Sequence, residues 1–120
     1  MRERSSNTVR IRFLDIGPVM HRLRQAAREL KESNPKVNRV LLFGSLVHGD
    51  YGPRSDADIL VVLESDERRA MDRIPEFSLA FSDVPVGVDI FPLTHVELEE
   101  KLCSGNFFWK RALEEGVELA

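Results

Sequence analysis

Two short segments, Val40-Leu41-Leu42-Phe43 and Ile59-Leu60-Val61-Val62-Leu63, are apolar at every position and show no helical period. A strand with one wet face alternates between apolar and polar residues. Strands this uniform are covered on both faces and belong at the centre of a sheet. Residues 44–55 between them are polar and contain three glycines and one proline, which excludes a long regular element and leaves room only for a short helical turn after Ser45. Two buried strands therefore flank one polar loop. With 120 residues the chain can build one core of this kind and not two, so residues 1–120 are expected to form a single small domain of the α/β or α+β class.

The flanking segments supply the covering layers. Residues 9–13, Val-Arg-Ile-Arg-Phe, alternate with period two and read as an edge strand with its arginines outward. Pro18 suits the first turn of a helix in which Met20, Leu23, Ala27 and Leu30 recur at helical spacing, with Arg22, Arg24, Arg28 and Lys31 on a solvated face. Asn34-Pro35 ends it. After the second buried strand, Ser65 or Asp66 is expected to cap a helix whose apolar positions are Ala70, Ile74, Phe77 and Phe81, bent or restarted at Pro75. Residues 86–91 predict a third strand, with Val86, Val88 and Ile90 on one face and Gly87, Asp89 and Phe91 on the other. Thr94 and Glu97 form a capping box for a helix through Leu102; a further helix spans 108–115, Gly116 closes it, and 117–119 add a last strand.

Charge and cysteine usage exclude several classes. Twenty acidic side chains against 17 Lys and Arg leave a net charge of −3, which argues against indiscriminate binding to nucleic acid or acidic membranes. No apolar run approaches the roughly 18 residues of a membrane helix. The start of the chain lacks the apolar core of a signal peptide, and one cysteine cannot form an internal disulfide, so a soluble protein of the reducing cytoplasm is expected. Cys103 reads as a small buried hydrophobe, His48 as a loop residue, and His21 and His95 as exposed helix positions; no metal-binding histidine spacing occurs.

The chemistry gathers in two places. Asp56 and Asp58 stand two residues apart at the start of a strand, so their side chains leave the same face with Cα atoms about 6.6 Å apart. That arrangement suits joint ligation of a hard cation such as magnesium, which takes carboxylate oxygens together with substrate phosphates. Asp89 interrupts an otherwise apolar strand, and a charge so placed needs a partner. If its strand pairs beside that of Asp58, opposed side chains lie about 5 Å apart and three carboxylates converge. Left unneutralised they would repel and raise one another's pKa. The second place is Gly44-Ser45 at the end of a buried strand, where a glycine allows close approach of a phosphate, and backbone N–H groups with a serine hydroxyl donate to it. Neither a G-x-G-x-x-G nor a G-K-[ST] pattern is present. The plainer alternatives are that the aspartates are turn, cap or ion-pair residues and Ser45 a turn hydroxyl.

Taken together, Gly44-Ser45, ten intervening residues, Asp56-x-Asp58, and then Asp89 in a Val-Asp-Ile strand resemble the minimal nucleotidyltransferase family of the polymerase-β-like superfamily. The likeness extends through Leu41-Leu42-Phe43 before the pair, Gly49-Asp50 after it, and Ile59-Leu60-Val61 after the aspartates, and more loosely from about residue 20 to Gly116-Val117. It implies a mixed β-sheet packed against α-helices and attack on the α-phosphorus of a nucleoside triphosphate, most simply ATP, held by two Mg2+ ions. By the same resemblance Asp56, Asp58 and Asp89 would be the catalytic and metal-binding residues, Asp89 completing the metal nearer the attacking group. Gly44 and Ser45 would hold the outer phosphates. Many members of the family sit beside a HEPN-type helical ribonuclease toxin and neutralise it by transferring AMP to a tyrosine, which makes this chain the expected antitoxin of a toxin–antitoxin pair.

One departure stands out. Members often carry an arginine soon after the Gly-Ser pair, whereas this chain has Leu46, Val47 and His48. Arg54, His48 or Lys110 are the candidates to meet the triphosphate instead, with Arg54 counted among the nucleotide-binding residues. Phe107, Phe108 and Trp109 read either as packing or as a face for a partner or a base. The competing functions are transfer to a small molecule of the aminoglycoside type or to an RNA end, a non-catalytic antitoxin acting by binding alone, and an orphan nucleotide-binding module. A chain this short, with motif residues only for triphosphate and metals, leaves the remaining wall of the site to a homo- or hetero-oligomeric partner.

Overall fold

The computed structural model describes residues 16–48 and 56–120, with the side chain of His48 outside the description. The strand expected over 9–13 and most of the polar loop, Arg54 included, lie outside the described residues. In chain order the elements are α1 (Ile16–Ser33), β1 (Val37–Phe43), α2 (Ser45–His48), β2 (Ala57–Leu63), α3 (Ala70–Ala80), β3 (Val88–Thr94), α4 (His95–Cys103), α5 (Phe107–Glu115) and β4 (Val117–Glu118). The strands form one sheet in the order β3-β2-β1-β4. β1 runs antiparallel to both β2 and β4, while β2 and β3 are parallel and joined by the crossover through α3. The mixed sheet and its helices agree with the fold class read from the sequence.

Both uniformly apolar segments occupy the centre of that sheet, and each face is covered. On one face Val40, Leu42, Ile59, Val61 and Leu63 pack against Val19, Leu23, Ala27 and Leu30 of α1 and Phe77 and Phe81 at α3. On the other, Leu41, Phe43, Leu60 and Val62 meet Leu98 of α4 and Trp109 and Ala112 of α5. The fourth buried position of α1 is Val19; Met20 is half-buried, one residue off the expected phase. No helix among the described residues is long and apolar enough to cross a membrane.

Four expectations are corrected. The third strand spans Val88–Thr94 and runs through Pro92. β3 is an edge strand, where a missing N–H is tolerated. The cap of α3 is Arg69, without a side-chain hydrogen bond, because the carboxylate of Asp66 is taken by the backbone N–H and guanidinium of Arg68. Ile74 lies on the surface, whereas Arg73 is buried at 1% exposure; the helix continues unbroken through Pro75.

The burial of Arg73 is possible because its guanidinium is fully engaged. Nη1 donates to the Pro92 carbonyl at 3.0 Å and to Glu97 Oε1 at 2.7 Å, and Nη2 donates to Glu97 Oε2 at 2.9 Å and to the Asp66 carbonyl at 3.1 Å. Nε and Nη2 also donate to the Arg68 carbonyl. Glu97 at the same time completes the capping box of α4, accepting from Thr94 N at 2.9 Å while Thr94 Oγ1 accepts from Glu97 N at 3.2 Å. One planar cation thus ties α3, β3 and the start of α4 together.

Removing it leaves a paired carboxylate and several carbonyls without donors. Arg73→Met should lower unfolding free energy by about 3 kcal/mol, measured by urea denaturation. The hydrogen bond from Arg73 holds Glu97 down at about 2, below its ordinary 4.5, and that from Arg68 holds Asp66 at about 2, below 3.8. Both carboxylates therefore bind protons more weakly folded than unfolded. Their stabilisation is full above pH 4.5 and drains away as pH falls toward 2. The urea midpoint should drop across that window, and drop less steeply in Glu97→Gln.

Candidate active site

The site assembles where β1, β2 and β3 present neighbouring ends. Phe43 of β1 lies opposite Asp58 of β2, and Asp58 lies opposite Asp89 of β3. By alternation, Asp58 shares the sheet face of Leu60 and Val62, and Asp89 that of Phe91, which is the face covered by α4 and α5. Asp56 stands one residue before β2. Its neighbour Ala57 extends the ladder by donating N–H to the Gly87 carbonyl at 2.8 Å.

Two glycines make room for the carboxylates. Gly44 has φ +87°, the left-handed region, and turns the chain sharply out of β1 into α2, whose first turn begins with Val47 N donating to the Gly44 carbonyl at 3.1 Å. A Cβ on Gly44 would collide with the Asp58 carboxylate, and one on Gly87 with that of Asp56. Each aspartate points one carboxylate oxygen into the space that a side chain on its glycine would fill. Gly87 is exposed and lies outside the positive-φ region, so it serves by the room it leaves and not by an unusual conformation.

Electrostatically the acids act on one another. The pKa of Asp58 is raised, first by partial burial and then by the charges of Asp89 and Asp56. The expected convergence is thus present in part: Asp58 and Asp89 are register partners and Asp56 lies within Coulombic reach of Asp58. Among the described residues, no three His, Cys, Asp or Glu side chains are already disposed to hold a metal ion. The donor set nevertheless suits a hard divalent cation. It is all carboxylate, it is mutually repulsive, and among the described residues no hydrogen bond or ion pair from a basic side chain reaches Asp56, Asp58 or Asp89.

Beside Gly44 and Ser45 opens a pocket of about 480 Å³, whose far wall is α5 with Phe107, Phe108, Arg111 and Glu115. The aromatic triplet divides between roles. Trp109 is buried at 7% exposure and packs on Phe43 and Phe91 with ring centroids 5.7 and 5.6 Å apart. Phe107 and Phe108 remain 79% and 56% exposed at the pocket. Of the bases considered for the triphosphate, Arg54 and the side chain of His48 fall outside the described residues, and Lys110 does not line the pocket. Arg111 does, a residue that no local motif singles out. Its signal was the helical phase, since it lies one turn beyond Phe107. Cys103, expected inside, is exposed: five residues from buried Leu98, it falls on the opposite side of α4.

Two substitutions separate placement from folding. Gly87→Ala should displace the Asp56 carboxylate, lowering Mn2+ affinity and turnover by about 100-fold while the melting temperature stays near that of the wild type. Because Asp58 holds its proton more tightly in the folded chain, its ionised form opposes folding at neutral pH. Asp58→Asn should raise the metal-free urea midpoint at pH 7, and the gain should shrink as pH falls toward 3.8.

Solved structures share this architecture. A presumptive nucleotidyltransferase from Sulfolobus solfataricus superposes with a TM-score of 0.58 at 26% identity, over 86% of this chain and 83% of its own. A chain of a toxin–antitoxin complex with AMP-PNP superposes with a TM-score of 0.50 at 22% identity, over 81% of this chain and 72% of its own, a likeness of fold. No curated protein sequence gives a significant match. Residues 23–115, which run from the core of α1 through the end of α5 and include Gly44-Ser45 and all three aspartates, match the sequence model of the nucleotidyltransferase domain, and the chain belongs to that family.

Proposed function

We propose that this nucleotidyltransferase transfers AMP from ATP to a side-chain hydroxyl of a partner protein, as the antitoxin of a toxin–antitoxin pair whose toxin is of the helical HEPN type. The observation that carries the catalytic part is the facing of Asp58 and Asp89 across adjacent strands, with Asp56 in reach and Gly44-Ser45 alongside. The choice of ATP and of a protein partner is supported by the fold shared with a toxin–antitoxin complex that holds AMP-PNP.

Asp56 and Asp58 would hold two Mg2+ ions, with Asp89 as a further ligand; such ions would supply neutralisation of the charge on the entering and leaving oxygens of an in-line displacement. The chain's own groups do the rest. The backbone N–H groups after Gly44 and the Ser45 hydroxyl donate to the outer phosphates, turning the α-phosphorus toward the carboxylates. Asp89 orients the acceptor hydroxyl and takes its proton. The acceptor oxygen bonds to the α-phosphorus, the bond from that phosphorus to the bridging oxygen breaks, and pyrophosphate leaves. Burial and neighbouring carboxylates, which raise Asp58, make this cluster avid for cations.

The test incubates the protein with Mg2+, ATP labelled at the α-phosphate and the product of the adjacent gene. Label should appear on the partner protein, and Asp56→Asn and Asp58→Asn should reduce it by at least about 100-fold. Equal labelling by these variants refutes the catalytic assignment. Full protection of cells by the same variants, without labelling, would identify an antitoxin that works by binding alone.

A further inference from the structure

Resting on the reading that a triphosphate lies over Gly44-Ser45, we infer that Arg111 binds its outermost phosphate and that the pocket between Gly44 and α5 is the γ-phosphate end of the site. The order of strands sets the direction. The carboxylates stand on β2 and β3, Gly44-Ser45 ends β1, and α5 covers β1 through Trp109 and Ala112, which pack with Leu41 and Phe43. Asp58 closes one side of Gly44 with its carboxylate, and the pocket opens on the side of α5. A triphosphate with its α-phosphorus at the aspartates and its next phosphate over Gly44-Ser45 therefore continues toward α5.

Charge makes the same assignment. The terminal phosphate carries most of the negative charge of the tail, and the donors of Gly44 and Ser45 are neutral. Leu46 and Val47, which follow them, bring no cation. Among the described residues that line the pocket, Arg111 is the basic one. Its guanidinium meets Glu115 through Nε, 3.2 Å from each carboxylate oxygen, and Arg111 is 72% exposed in that pair. An exposed pair at i,i+4 contributes little to stability, so it holds the side chain near the pocket without competing seriously with a phosphate. A guanidinium has five donors and binds phosphate through two parallel hydrogen bonds. Phe107 and Phe108 wall the same space. A chain without an arginine in the turn directly after its Gly-Ser pair thus carries one in space.

The experiment compares α,β-methylene-ATP, ADP and AMP, each with Mg2+, as ligands of the full chain by calorimetry. Trp109, the chain's single tryptophan, lies 5.0 Å from the Phe108 ring and gives a second readout by fluorescence. Arg111→Gln should weaken the triphosphate analogue by about 10- to 100-fold, ADP by less, and AMP by no more than about twofold. Arg111→Lys should restore part of the loss, since a lysine keeps the charge and loses the fork. Equal losses for all three ligands would overturn the inference by moving the nucleoside into this pocket. An unchanged triphosphate affinity would overturn it by removing the contact altogether. Failure of the wild-type chain to bind any of the three would instead refute the underlying nucleotide reading, and this inference with it.

Discussion

Two like charges on neighbouring strands repel, and the parallel register of β2 with β3 forces Asp58 and Asp89 into that position. The rest of the structure can be understood as what sustains this pairing. A slip of one residue would turn Asp89 to the other face and carry Ile90 out of its core, so the apolar residues on either side of the acids define the register. Beyond the acids, β3 is held by Arg73, which binds the Pro92 carbonyl and, through Glu97, the turn from Thr94 into α4. The buried cation lies on the same edge strand as Asp89 and restrains the end of that strand away from the site.

Beneath the acids lies an aromatic layer. Phe43 is the cross-strand neighbour of Asp58 and Phe91 stands two residues after Asp89, and both rings pack on Trp109. This gives the carboxylates a rigid, dry floor on one side while leaving their oxygens open above. Gly44 and Gly87 extend the same logic to the backbone, each yielding the space that one carboxylate fills. Helix α5 joins the floor to the pocket wall. Trp109 faces the sheet, Ala112 touches both sheet and pocket, and Phe107, Phe108 and Arg111 line the pocket.

Much of this was legible in the residues. Uniform apolar runs predicted the central strands, and the box of Thr94 with Glu97 predicted the start of α4; the facing of Asp58 and Asp89 was legible only on the condition that their strands pair. The failures share a cause. Arg73 was missed because a charged residue in a helical pattern counts as solvent-facing unless its partners are known, and those partners lie up to 24 residues away. Asp66 was read as a cap for the same reason, its actual partner being a guanidinium. Ending β3 before Pro92 ignored that an edge strand tolerates proline. Placing Cys103 in the core weighed its residue type above its helical phase.

The sequence by itself determined the layers, that is, which segments had to be buried on both faces, and it supplied the acidic and glycine-bearing segments at their ends. These follow from residue type and local period, which are properties of neighbours along the chain. Tertiary structure decided proximity. It set Asp89 opposite Asp58, put a carboxylate oxygen of Asp56 against Gly87, and brought Arg111 to the wall of the pocket beside Gly44-Ser45. Such pairings depend on how strands order themselves and which helix covers which strand, and those are settled by the packing of the whole core and not by any window of sequence.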